Sequence, residues 1–381
     1  MAPKFRDNSN DMKTKVSIAR CKTYDPEEVQ PSVRRAFELL GGISAFVKKG
    51  EKILVKPNML SARPPEDGVN THIEIIRAVV RLIKECEAFP VIGDTPGGFV
   101  DIKEAYEASG IMSVAKEEGA ELAEVKNVRI EKGFPIASYF FECDKIISLP
   151  KMKTHSLMGL TGGIKNMYGG VSGLNKSERH KRFPKPEDFA NVLMDVFEVL
   201  KPHLVLMDAV IAMDGYGPAA GTLKPVGLLI ASDDSVAVDS IFSYLIGIDP
   251  LDVLTTKEAH RRGIGETDID NIEIVGEKIE KGFIKGFRLA SSSTITKLLS
   301  LPNPFVRALT SFVKFCPYIN ERDCKRCKIC AKTCPVAAIT IDEKNATINK
   351  RKCINCMCCH EVCPYKAIQL RRNILARVLA S

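Results

Sequence analysis

The most tightly constrained residues in the chain are eight cysteines in two matched runs. Cys324-x-x-Cys327-x-x-Cys330-x-x-x-Cys334 is followed by Pro335, and Cys353-x-x-Cys356-x-x-Cys359-x-x-x-Cys363 is followed by Pro364. Two residues between thiolates let one tight loop wrap three corners of a cube. The fourth cysteine precedes a proline that turns the chain away, which displaces it toward a second cube. The runs therefore specify two [4Fe–4S] clusters, with Cys324, Cys327, Cys330 and Cys363 on one and Cys353, Cys356, Cys359 and Cys334 on the other. Structural zinc is the rival chemistry, but it takes four ligands from two pairs and has no use for a third cysteine or for Cys-Pro. Cys356 to His360 also has the C-x-x-C-H spacing of c-type haem attachment. Haem there would strip two ligands from a cluster. Cys358 is left over as a ninth thiol beside the second run.

The elements that position these thiols repeat as well. Cys334-Pro335 leads to Ala338-Ile339 and Cys363-Pro364 to Ala367-Ile368, and residues 338–349 alternate about a polar turn, which reads as a hairpin. Upstream, short apolar strands (VSIARC, KILVKPN, FPVIGD, DKIISLP, LVLMDAV, VGLLIAS) alternate with helical patterns such as THIEIIRAVVRLIKEC and DSVAVDSIFSYLIG. That alternation predicts an α/β body with a mostly parallel sheet and helices on both faces, followed by a small α+β two-cluster domain. Residues 121–133 read as a hairpin that adds an antiparallel edge.

Ligands of such sheets bind beyond the carboxyl ends of the strands. Those ends carry Lys56 and Asn58, then Asp94, then Lys153, Thr154 and His155, then Asp214. The Gly-rich segment 159–170 places bare N–H groups beside Lys165 and Asn166, an expected anion site. The roles expected are catalytic for His155 (proton transfer), Lys153, Asp94 and Asp214 (orientation or a metal), and substrate or anion binding for Lys56, Asn58, Thr154, Lys165 and Asn166. His180, in a charged run, reads as a loop residue that could belong to a lid. Gly215-x-Gly217-x-x-Ala220 resembles a dinucleotide fingerprint but leads into a Pro-containing strand, so no NAD fingerprint stands in helical context. Flavin sites lack one obligatory motif and stay open.

The segments KPN at 56, GDTPGG at 93, LPKMKTH at 149, GGIKNMYG at 162, MDGYGP at 213 and SDDSVAVD at 232 resemble the iron–sulfur centre family called domain of unknown function 362. The C-terminal part resembles a bacterial two-cluster ferredoxin, from which only the extra Cys358 departs. The resemblance implies a cytoplasmic, anaerobe-type redox protein and brings no defined reaction with it.

At 381 residues and 45% hydrophobic content the chain is long enough for more than one core. The expected division is a polar tail at 1–11, the α/β body at 12–290, an amphipathic linker at 291–315, the cluster domain at 316–371 and a basic tail at 372–381. Residues 316–381 hold 13 Lys+Arg against 5 Asp+Glu, so the whole net charge of +8 sits there. Clusters with their thiolates are anionic, and no aromatics interleave with the basic residues, which argues against nucleic acid. The N-terminus has no apolar core of a signal peptide and no apolar run reaches spanning length, so a cytoplasmic location is expected. Peripheral membrane contact through the linker and the basic tail is the secondary reading. Together these features describe a ferredoxin-coupled oxidoreductase that passes electrons between two clusters and a small anionic substrate on the body, served by a redox partner protein such as a ferredoxin or reductase. The alternative is an electron carrier or assembly partner whose body docks another protein without catalysis of its own.

Anaerobic reconstitution should yield about eight irons and eight sulfides per chain, with a spin-coupled EPR spectrum on reduction. Stoichiometric zinc without thiolate-to-iron absorbance would be incompatible with this assignment.

Overall fold

The computed structural model describes residues 13–289 and 315–372. The polar tail expected at 1–11, nearly all of the expected linker and the tail beyond 372 lie outside them. The body strands are β1 (Thr14–Arg20), β2 (Lys52–Pro57), β3 (Phe89–Ile92), β4 (Glu121–Leu122), β5 (Val128–Glu131), β6 (Phe134–Ala137), β7 (Lys145–Leu149), β8 (Lys151–His155), β9 (Gly159–Thr161), β10 (Leu204–Asp214), β11 (Thr222–Ser232) and β12 (Ile272–Gly276). Ten of them form one sheet ordered β12-β1-β11-β10-β7-β2-β3-β4, with β8 beside β10 and β9 beside β8. The pairs β2–β3, β2–β7, β7–β10, β3–β4, β8–β10 and β1–β12 are parallel, whereas β11 runs antiparallel to β1 and β10. This is the α/β body with a mostly parallel sheet.

Side chains alternate across each strand, so a continuous apolar run buries both faces. Ile53, Val55, Leu204 and Leu206 join the helices Pro26–Glu38 and Ile73–Glu85 through Val33, Phe37, Ile76 and Val79. Leu54 and Ile146 face the other way, onto Phe189, Leu193 and Phe197 of the helix Pro186–Val199. Val205, Met207 and Ile230 meet Val238, Ile241 and Phe242 of the helix Ser235–Leu245.

Two local expectations need correction. The hairpin near 121–133 does not extend the main sheet as an antiparallel edge: β4 joins β3 in parallel, and β5 pairs with β6 as a separate ribbon. The residues expected at the carboxyl end of β7 do not mark the end of extended chain either. Lys151–His155 is itself a buried strand, β8, that continues the run of β7 past Pro150. Pro150 has no N–H to donate, but its carbonyl still accepts from Asp208 N at 2.8 Å.

The Gly-rich segment packs on the helix Ser235–Leu245 through a carboxylate. Asp239 accepts from Gly163 N at 2.6 Å and Ile164 N at 3.1 Å, while Asp234 caps the helix by accepting from Val236 N and Ala237 N. The N–H groups expected to bind an external anion are thus occupied by the protein's own acid. Burial pushes the Asp239 carboxyl up to about 7.

The cluster domain adds β13 (Phe315–Ile319), β14 (Ile339–Ile341), β15 (Ala346–Ile348) and β16 (Ile368–Arg372), with β13 antiparallel to β16 and β14 to β15. The hairpin expected within 338–349 is the β14–β15 pair. Short helices, Ile329–Thr333 and Cys358–Val362, follow the cysteine loops.

Removing the Asp239 carboxylate strands two buried N–H groups. Asp239→Ala should lower unfolding free energy by about 2–4 kcal/mol in anaerobic denaturant titrations, and Asp239→Asn by less.

Candidate functional site

The strand ends converge on a buried ion pair. Lys56, last but one in β2, places its Nζ 2.8 Å from Asp94 Oδ1, and both side chains are almost fully buried. Lys56 Nζ also donates to Asn166 Oδ1 at 3.2 Å, and Asn166 Nδ2 donates to Ser148 Oγ at 2.9 Å. Asp94 accepts from Met59 N and Thr95 N, at 2.8 and 2.9 Å. Burial pulls the Lys56 ammonium below its ordinary range, and the Asp94 carboxylate opposes that shift.

Next to this pair lies a cavity of about 80 Å³ whose lining includes Asn58, Asp94, Lys165, Asn166, Tyr168, Lys176 and His180. Its remaining wall comes from the cluster domain: Thr333, Cys358, Glu361 and Val362. The cluster domain therefore closes over the strand ends rather than standing apart from them. Arg63 Nη1 donates to the carbonyls of Cys363 (3.2 Å) and Pro364 (2.5 Å), Phe99 N donates to Thr333 Oγ1 (3.1 Å), and His360 Nε2 lies 3.0 Å from Tyr216 O.

The expected site residues divide into four groups. Asn58, Asp94, Lys165 and Asn166 line the cavity. Lys56 lies behind Asp94 as its partner. Lys153, Thr154 and His155 are fully buried on β8 and line no part of it. Lys153 Nζ donates to Val69 O at 2.6 Å, and burial, then Lys165, pulls it well below its ordinary range. Thr154 Oγ1 donates to Gly215 O and accepts from Gly217 N, holding the GYGP turn. Asp214 lies elsewhere: Arg288 Nη2 is 2.9 Å from its Oδ1, and Arg288 N donates to its Oδ2. Among the described residues no three His, Cys, Asp or Glu side chains are grouped to hold a single metal ion.

His155 accepts on Nδ1 from Leu157 N and Met158 N, both at 3.1 Å, which leaves the ring proton on Nε2. That nitrogen faces Glu361 Oε1 at 2.9 Å, and Glu361 reaches the cavity. Burial first, and Lys165 next, pull His155 down to about 4. Sequence spacing could not connect Glu361, between two cluster cysteines, with a strand two hundred residues earlier.

Lys176 and His180, on the helix Asn175–Arg182, were also not singled out as site residues. Lys176 Nζ donates to Thr95 O (2.6 Å), Thr95 Oγ1 (2.7 Å) and Pro96 O (3.0 Å), and burial lowers it to about 7. His180 is buried, stacks on Phe189 at 3.8 Å and is lowered to about 4 by burial. The charged sequence of this helix conceals that it packs one face inward.

The thiols group as two sets. Cys334, Cys353, Cys356 and Cys359 line one small apolar hollow with Ile339, Ile348 and Met357. Cys330 has Cys363, Cys327 and Cys324 as its electrostatic neighbours. Each set draws three thiols from one run and one from the other, and so suits a cubane held across the pseudo-twofold.

A family profile described as domain of unknown function (DUF362) matches residues 53–243, half of the chain. The chain belongs to the domain of unknown function 362 family. A profile for a 4Fe–4S dicluster domain matches residues 323–367, and two [4Fe–4S] clusters are the cofactors of this member. A thylakoid-associated protein of Synechocystis sp. is 30% identical over 259 residues, 66% of this chain and 80% of that protein. That relative corrects the location: the cytoplasmic expectation rested on the lack of signal and spanning segments, which does not separate a free protein from one held at a membrane surface. Among the described residues no helix is long and apolar enough to cross a membrane.

Among solved structures, the lactate racemase apoprotein from Thermoanaerobacterium thermosaccharolyticum is 11% identical, with TM-score 0.35 over 60% of this chain and 57% of its own. A protein from Thermotoga maritima is 14% identical, with TM-score 0.32 over 51% and 52%. This chain spans little more than half the length of either.

Histidines 72, 155 and 180 are each lowered to about 4 by burial. Below an unfolded value of about 6.5 the unfolded chain takes up protons that the folded one refuses. The stability that these histidines contribute should thus be fully present above pH 6.5 and be lost as pH drops from there toward 4. Denaturant titrations across that window should show the fall, and His180→Phe should flatten it.

Proposed function

We propose that this protein is an iron–sulfur oxidoreductase that binds a small anion in the cavity between the α/β body and the cluster domain. One observation carries the reading. Lys165 lines a cavity that is walled in part by the helix Cys358–Val362 of the cluster domain, and among the described residues its ammonium has no hydrogen bond or ion pair. Every other lysine near it is committed: Lys56 to Asp94, Lys153 to Val69 O, Lys176 to the 95–96 carbonyls.

The clusters supply one-electron chemistry when bound. The chain's own residues supply the rest. Lys165 attracts and holds the anion. His155 faces Glu361 at the cavity wall, where its Nε2 orients that carboxylate rather than touching the ligand. A space of about 80 Å³ corresponds to two or three waters, which suits an anion of a few heavy atoms. Burial of the walls by Tyr168 and Val362 strengthens the Lys165–anion attraction. Peripheral membrane association is proposed here as well, since the Synechocystis relative is described as thylakoid-associated.

Formate binding to the reconstituted protein, followed by calorimetry, tests the reading. Lys165→Met should weaken it by about tenfold to a hundredfold with both clusters retained, as loss of a charge-assisted contact requires. No binding, or binding unchanged in the variant, would remove the anion site and favour the docking-body alternative.

A further inference from the structure

The cavity beside Lys165 and the hollow ringed by Cys334, Cys353, Cys356 and Cys359 have one lining residue in common, Cys358. Its side chain is buried, 6% exposed, so the two spaces are separated by a single small residue inside the protein. The other thiol set has different surroundings. Arg326 and Lys328 in the first loop have φ of 52° and 63°, and Asn355 and Met357 at the matching places in the second have 55° and 65°. The two loops therefore share one backbone, and only their environment differs. Residues 325–328 of the first are all exposed, and Cys327 is the only exposed cysteine of the thirteen. At the matching positions of the second, 354–356 are half-buried and Met357 is buried, as is Cys358 beyond them.

We propose that anion occupancy of the cavity and the redox state of the cluster held by the second set are coupled, and that the first cluster is exempt. An electron added within that hollow places negative charge across one buried side chain from the anion, where the surrounding apolar groups screen poorly. At the exposed first loop, water and salt screen the same charge over about 8–10 Å. Coupling is reciprocal: the anion lowers the potential of the second cluster, and reduction of that cluster weakens the anion. Binding would thus favour the oxidised form, and reduction would promote release. The inference rests on the proposal that the cavity takes an anion.

EPR-monitored redox titration of the full-length reconstituted protein, with and without formate, decides it. The two signals are first assigned from Cys327→Ser and Cys356→Ser. Formate should lower the potential of the second cluster alone, equivalent to at least about fivefold weaker binding by the reduced form. Lys165→Met should abolish the response, and Cys358→Ser should keep both clusters. A shift confined to the first cluster, equal shifts in both, or a cluster lost in Cys358→Ser overturns the coupling. If calorimetry detects formate but neither potential moves, the coupling fails and the anion site stands. If calorimetry detects no binding, both fall together.

Discussion

The buried Lys56–Asp94 pair organises everything around the strand ends. Asp94 uses its second oxygen and its first to hold Met59 N and Thr95 N, which positions the loops after β2 and β3. Thr95 in turn accepts from Lys176, and Lys56 donates to Asn166, so two helices are attached to one charge pair. The backbone must approach closely to allow this: a Cβ on Gly169 would overlap Asp94 Oδ1 and stand 2.6 Å from Lys56 Nζ. Buried pairs of this kind add little net stability over an apolar replacement, but removing one partner costs about 3–5 kcal/mol because the other is left charged and dry. Their value here is positional.

A second constraint is that the cluster domain provides one wall of the site. Neither part makes the cavity alone: Lys165 and Asn58 come from the body, Glu361 and Cys358 from the cluster helix Cys358–Val362. His155 then has a reason to be on β8. It is the body's half of a contact whose other half is a carboxylate placed between two cluster cysteines.

Much of this was legible in the sequence. The cysteine spacing carries its own chemistry, and the apolar strands and their alternation with helices specify the sheet because each face must be buried. Asn58 and Asp94 were accessible by the rule that ligands sit at strand ends, and Lys165 and Asn166 through the Gly-rich segment that follows. The rest depended on tertiary facts. Polar residues conceal a strand in KMKTH, since Lys151 and Lys153 are paid for by Asp208 and a carbonyl that no local pattern shows. Asp239 occupies the Gly-rich turn from a helix far along the chain, and Asp214 turns to Arg288 rather than inward. Glu361 and Lys176 look like ordinary surface charges until the fold buries them.

Arg63 grips the cluster domain by main-chain oxygens, those of Cys363 and Pro364, and not by side chains. The position of those oxygens is set by where the Cys363 sulfur is tethered. Whatever orders that sulfur would also order the acceptors that Arg63 needs, and a ligand role for Cys363 would link the loading of iron to closure of the domain onto the body. An apoprotein would present Arg63 with a seat of the right composition and an unsettled shape, and the completed protein would be recognised by how firmly the two parts hold together.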